Sequence, residues 1–150
     1  MVAQIAPDLL HLVPTAPPPA PTRAELRAEA ERQKAEAQRS DRLAALDAVR
    51  QWLATHAETR LMWWHLFSSL PKAERTKAAG LRRLVGPDGH PIAPGDEGPH
   101  RVECLIFPEV FRREVCRGFD PKFVGEVLRD AGWLKHDRDR FTMKHRLPGI

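Results

Sequence analysis

Cysteine is scarce: Cys104 and Cys116 are the only two in 150 residues. Two cannot make a disulfide framework, and a reducing cytoplasm is the expected compartment. No run of about 18 apolar residues occurs, so no membrane-spanning helix is expected. Met1 to Val13 carries no basic start ahead of its short apolar patch, and it does not read as a secretory signal. The phosphate cradle Gly-x-x-x-x-Gly-Lys-[Ser/Thr] is missing, which leaves no ATPase motor in this chain. A Gly-x-Ser-x-Gly nucleophile elbow is missing too, and no pair of carboxylates stands out from the surface charge. The chain is therefore expected to be non-catalytic and to carry no cofactor. His90, His100, Cys104 and Cys116 have metal-ligating chemistry, but their spacings match no common zinc finger, so no metal is expected. Both cysteines read as small buried hydrophobes, and His56 and His65, flanking an apolar region, read as ordinary packing.

What is abundant is proline at one end and positive charge at the other. Pro14-Thr-Ala-Pro17-Pro18-Pro19-Ala-Pro21 removes backbone donors and favours extended conformers. Residues 1–22 are expected to be a disordered Pro-rich tail. The 24 Lys+Arg outnumber the 20 Asp+Glu. Residues 1–60 are balanced at 8 basic and 8 acidic, whereas residues 101–150 hold 11 and 8. The excess concentrates in Lys135, Arg138, Arg140, Lys144 and Arg146, with His136 and His145 able to add charge near an anion. That balance favours a polyanionic partner.

Thr22-Arg-Ala-Glu25 has the form of a capping box. From there to Ser40 the chain is nearly all Ala, Glu, Arg, Lys and Gln, which are strong helix formers. Glu29–Arg32, Glu31–Lys34 and Glu36–Arg39 fall at i,i+3 spacing. No apolar residue larger than Ala lies between Leu26 and Leu43, so residues 23–40 predict a projecting, charged, solvent-exposed helix. Leu43, Leu46, Val49 and Leu53, with Trp52, then mark an amphipathic helix and the start of a folded domain, residues 41–150.

Thr59 to Leu61 is expected as a short strand ahead of the apolar cluster Met62-Trp63-Trp64-His65-Leu66-Phe67, whose two tryptophans read as packing. Leu81 to Val85 and Val102 to Phe107 predict a hairpin around a Gly- and Pro-rich loop. Pro108 suits a first helical position, and Val110, Phe111 and Val115 form a stripe that ends at Gly118. Asp120-Pro121 starts a further helix with Phe123, Val124, Val127, Leu128 and Ala131 on one face, stopped by Gly132. Trp133-Leu134 and Phe141 to Leu147 are expected to form a second hairpin around Asp137-Arg138-Asp139.

Helix, tight turn, helix and basic hairpin together give an α+β fold, a winged helix-turn-helix-like domain. A helix enters the major groove in that layout, and cations on the adjacent ribbon meet phosphates. The predicted DNA-binding residues are Lys135, His136, Arg138, Arg140, Lys144, His145 and Arg146 on the ribbon. Lys122 and Arg129 on the second helix, with Arg112 and Arg113, are placed near the groove. Glu126 on the same helix face argues against base reading, so binding is expected to be directed at the backbone. A protein-docking adaptor and an autoregulatory repressor are the alternatives.

The run Ile106-Phe-Pro-Glu-Val-Phe-Arg-Arg-Glu-Val-Cys-Arg-Gly-Phe-Asp-Pro121, then Leu128-Arg-Asp-Ala-Gly-Trp-Leu134 and Arg146-Leu-Pro-Gly149, carries a resemblance. It resembles the C-terminal module of helicase-like P-loop proteins of uncharacterised function, related to phage-type primase-helicases and carried by conjugative elements, plasmids and prophages. His56-Ala-Glu-Thr-Arg60 and Ala79-Gly-Leu-Arg-Arg83 look like that family's upstream signatures, and the likeness covers roughly residues 42–149. The resemblance implies a winged-helix-like accessory domain in replication or transfer of a mobile element, with DNA and a P-loop helicase or primase as partners. The family's motor is missing here, and the family usually continues by one more strand past the position of Ile150. Unwinding therefore does not carry over; binding does.

Overall fold

The computed structural model describes residues 16–135. It is a mixed α+β fold with four α-helices and a small three-stranded sheet among the described residues. Two compact units divide the chain, Met1–Ala37 and Gln38–Ile150. None of the described helices is long and apolar enough to cross a membrane.

Helix α1 runs without a break over Arg23–Arg60, so the two stretches that the sequence separates at Asp41 belong to one helix. Its start is the expected capping box. The Thr22 amide donates to Glu25 Oε2 at 2.7 Å, and the Glu25 amide donates to Thr22 Oγ1 at 3.3 Å. Every residue from Arg23 to Asp41 is exposed, Leu26 included, and no other residue there is both large and aliphatic. The three expected i,i+3 ion pairs do not form. Arg32 Nε donates instead to the Ala28 carbonyl at 3.4 Å, and Glu29 accepts from Gln33 at 3.5 Å. Residues 16–22 are exposed and without regular structure, and the rest of the expected tail lies outside the described residues.

In the second unit the buried stripe of α1 is Ala45, Val49 and Trp52, with Leu46 and Leu53 packed beside it. Leu43, expected on this face, is 61% exposed. The small Ala45 side chain lies against the core, and the stripe is turned accordingly. The helix continues through Thr59 to Arg60, so strand β1 is Leu61–Trp63 rather than Thr59 to Leu61.

A 3-10 turn at Phe67–Ser69 and the four-residue helix α2, Lys72–Arg75, lead to β2, Gly80–Val85. Strand β3 is Arg101–Ile106. β1 lies parallel to β2, with Leu61 opposite Gly80. β2 and β3 form the expected antiparallel hairpin, with Leu81 opposite Leu105. A Gly86–Gly89 turn follows β2, with Gly89 at φ +81°, and returns Pro91 to a bridge with Val85 at the start of the connection to β3.

Strand alternation divides the sheet residues between two cores. Leu61 and Ile106 join Val115, Cys116, Val124, Val127 and Leu128 of the helices that follow. Met62, Leu81 and Leu105 join Phe67, Ala78 and Phe107. Gly80 sits where β3 runs close beside β2: a Cβ there would lie 2.1 Å from the Leu105 carbonyl oxygen.

Helix α3, Pro108–Val110, has proline in its first turn and opens into a π turn over Phe111–Val115. The Cys116 amide donates to the Phe111 carbonyl at 2.9 Å. This wider turn brings Val115 and Cys116, both buried, to the same core as Phe111. Helix α4, Pro121–Asp130, is capped by Asp120, whose carboxylate accepts from the Phe123 amide at 3.1 Å. Gly132 ends it at φ +74°. Trp133 and Leu134 follow without a strand, and the remainder of the expected second hairpin lies outside the described residues.

Candidate nucleic-acid interface

Five of the predicted DNA-binding cations fall among the described residues, and four of them are in ion pairs. Arg112 and Arg113, in the π turn, both reach Glu109, at 2.6 and 3.4 Å. Arg129 Nε lies 3.3 Å from Asp130, whose other oxygen takes Arg42 of α1 at 2.7 Å. Lys135 Nζ lies 2.8 Å from Glu103 of β3. Lys122, in the first turn of α4, is exposed and in no ion pair among the described residues. His136, Arg138, Arg140, Lys144, His145 and Arg146 lie outside the described residues.

The carboxylates feel these cations. Hydrogen bonding from Arg112 holds Glu109 below the usual carboxylate range. Arg42, then Arg129, does the same for Asp130. Burial of Glu103 would raise its pKa, but Lys135 and Arg83 outweigh that and keep it low. All but the last of these pairs are well exposed, and such pairs are weak and screened by salt. A phosphate that neutralised the same cation would compete with them readily.

α4 points Val124, Val127 and Leu128 into the core and leaves Lys122 and Arg129 outward, with Glu126 half-buried between them. Asp130, exposed at the end of the same helix, stands beside Arg129 as a second acidic residue. Among the described residues, no group of three His, Cys, Asp or Glu side chains is arranged to hold a metal ion. Cys116 is buried, and burial, then Asp120, pushes its thiol up to about 11. Cys104, expected to be buried, is exposed on β3, which is an edge strand of the sheet. His65 is exposed rather than packed, whereas His56 lies half-buried with its ring 5.1 Å from Trp52.

Three arginines lie over tryptophans. Arg82 is 4.3 Å from the Trp63 ring centre, Arg83 is 5.3 Å from Trp64, and Arg50 is 5.3 Å from Trp133. Such pairs occur about once in 70–80 residues, so three in this small fold are more than the usual share. The adjacent Trp63-Trp64 and Arg82-Arg83 hint at it in the sequence, but only the parallel pairing of β1 with β2 brings the two dipeptides together. Arg83 is also bound to Glu103 at 2.6 Å, with both side chains largely shielded from water. Arg82 has no carboxylate partner among the described residues, and its buried Nε has no acceptor.

No protein family, curated protein or solved structure matches this chain.

Proposed function

We propose that this chain is a non-catalytic DNA-binding accessory module of a mobile-element replication or transfer protein, with a winged-helix-like domain that holds mainly the phosphate backbone. The observation that carries this reading is the use made of the acidic groups around Lys135. Glu103 already binds both Arg83 and Lys135, and Asp130 already binds Arg42 and Arg129. Lys135 thus ties the root of the basic stretch to β3. Beyond it the sequence holds Arg138, Arg140, Lys144 and Arg146 against Asp137 and Asp139. Cations in such excess over nearby carboxylates favour a polyanion.

Titration of the full chain with duplex DNA at two salt concentrations tests the proposal. Four to six phosphate contacts give log K a slope of roughly −4 to −5 against log salt. An affinity indifferent to salt would reject it.

A second reading, a docking adaptor for a helicase or replisome component, is favoured by one observation. Helix α1 exposes every residue from Arg23 to Asp41, a surface that the fold itself does not use. Capture of a protein partner that survives nuclease treatment and is lost on deleting residues 23–37 would favour it.

A further inference from the structure

Row by row, one face of the sheet changes its character along the strands. Leu61, Gly80 and Ile106 stand opposite one another and are built into the helical core. Two residues further along β1 and β2, and two back along β3, the matching row is Trp63, Arg82 and Cys104. Here Trp63 and Arg82 are half-buried and Cys104 is exposed, so part of this row faces solvent. The guanidinium of Arg82 lies over the Trp63 indole at 4.3 Å, and the exposed ring of His65 lies 6.1 Å from the same indole.

Arg82 and Arg83 show how differently two adjacent cations can be used. Arg83, on the opposite face, is locked by Glu103 and has a structural role. Arg82 lies over the Trp63 ring, yet it meets no carboxylate among the described residues and leaves a buried Nε–H without an acceptor. A buried donor without a partner costs free energy, and here the fold tolerates that cost beside an open surface. A planar cation fixed on an aromatic ring offers a π-face for stacking and N–H groups for an anion.

We propose that Trp63 and Arg82 form a stacking platform for a nucleobase of single-stranded DNA, with the guanidinium edge meeting the adjoining phosphate. The inference rests on the nucleic-acid reading above and adds strandedness to it. Base faces are hidden inside a duplex and open in a single strand, so a stacking platform selects the latter. Where the C-terminal cations serve any phosphate backbone, this pair also requires an unpaired base.

The test uses the full chain with three probes of equal length: oligodeoxythymidylate, an abasic oligonucleotide with the same backbone charge, and a duplex. Wild-type protein should bind oligodeoxythymidylate on the order of tenfold more tightly than the abasic strand, the share that one stacked base supplies. Arg82→Lys, which keeps the charge and removes the plane, should lose most of that preference with no change in salt slope. Equal affinity for the thymidylate and abasic strands overturns the platform and leaves backbone binding standing. It needs no variant, so a folding defect in Arg82→Lys cannot obscure it. Failure to bind any of the three DNAs overturns the nucleic-acid reading itself, and the platform with it.

Discussion

Arg60 and Glu114 meet fork to fork, tying the last turn of α1 to the π turn. Arg60 Nη2 donates to Glu114 Oε1 at 3.0 Å, and Nη1 donates to the other oxygen. The hydrogen bond from Arg60 holds the Glu114 pKa low, and the partnership raises that of Arg60. A cation in the final turn also suits the helix dipole. The pair gives a reason for α1 to continue through Thr59 and Arg60 instead of opening into a strand.

Glu114→Gln removes the charge and keeps the shape. Since about a third of each side chain remains exposed, the loss should be no more than about 1 kcal/mol. For a domain of this size that lowers the melting temperature by a few degrees, readable by circular dichroism. An unchanged melting temperature would show that the pair adds nothing net.

Glu103 should matter more, because its side chain and that of Arg83 are only 15% and 14% exposed and Lys135 shares the carboxylate. Its pKa is lowered in the folded chain, so the sign is that of acid destabilisation. The contribution is complete above the ordinary glutamate range and fades as pH falls through the lowered value. Glu103→Gln should cost about 1–3 kcal/mol at neutral pH, since it leaves Arg83 shielded and short of its charged acceptor. The gap between the variant and the wild type should narrow in acid, and denaturant melts at about pH 7 and about pH 3, either side of the usual glutamate value, measure it. A gap that widened in acid would contradict the assignment.

Gly80→Ala tests the close approach of β3 to β2. The added methyl would meet the Leu105 oxygen at 2.1 Å and the Ile106 Cα at 2.9 Å, both backbone atoms of the paired strand. Relief requires the β2–β3 ladder to part, so a loss of about 3 kcal/mol is expected, at the upper end for overpacking. Urea unfolding decides it, and a neutral outcome would mean that the strands separate there without cost.

Local chemistry was legible in the sequence, and long-range partnership was not. Thr22 with Glu25, Asp120 with Pro121, and Gly132 marked helix ends because a cap or a left-handed turn is decided by a few adjacent residues. The β2–β3 hairpin was visible for the same reason. The parallel pairing of β1 was not, since no turn announces it. Nor were Glu103–Lys135 and Arg42–Asp130, which lie far apart along the chain and meet only through the fold. A tally of positive charge therefore described how many cations there are, and not which of them are already engaged.

That distinction supplies the last prediction. Charge reversal at Arg138 and Arg140, to Glu, should weaken binding to all duplex sequences alike, because phosphates carry no code. It should also make the salt slope shallower by about 2, one for each phosphate no longer neutralised. Lys135→Ala should behave differently. Its ammonium already neutralises Glu103, so removing it returns a negative charge near the root of the basic stretch and loosens that root from β3. Stability should then fall along with affinity. Lys135→Ala acting on affinity alone would mean that the ion pair gives way when DNA binds, and that Lys135 serves phosphate directly.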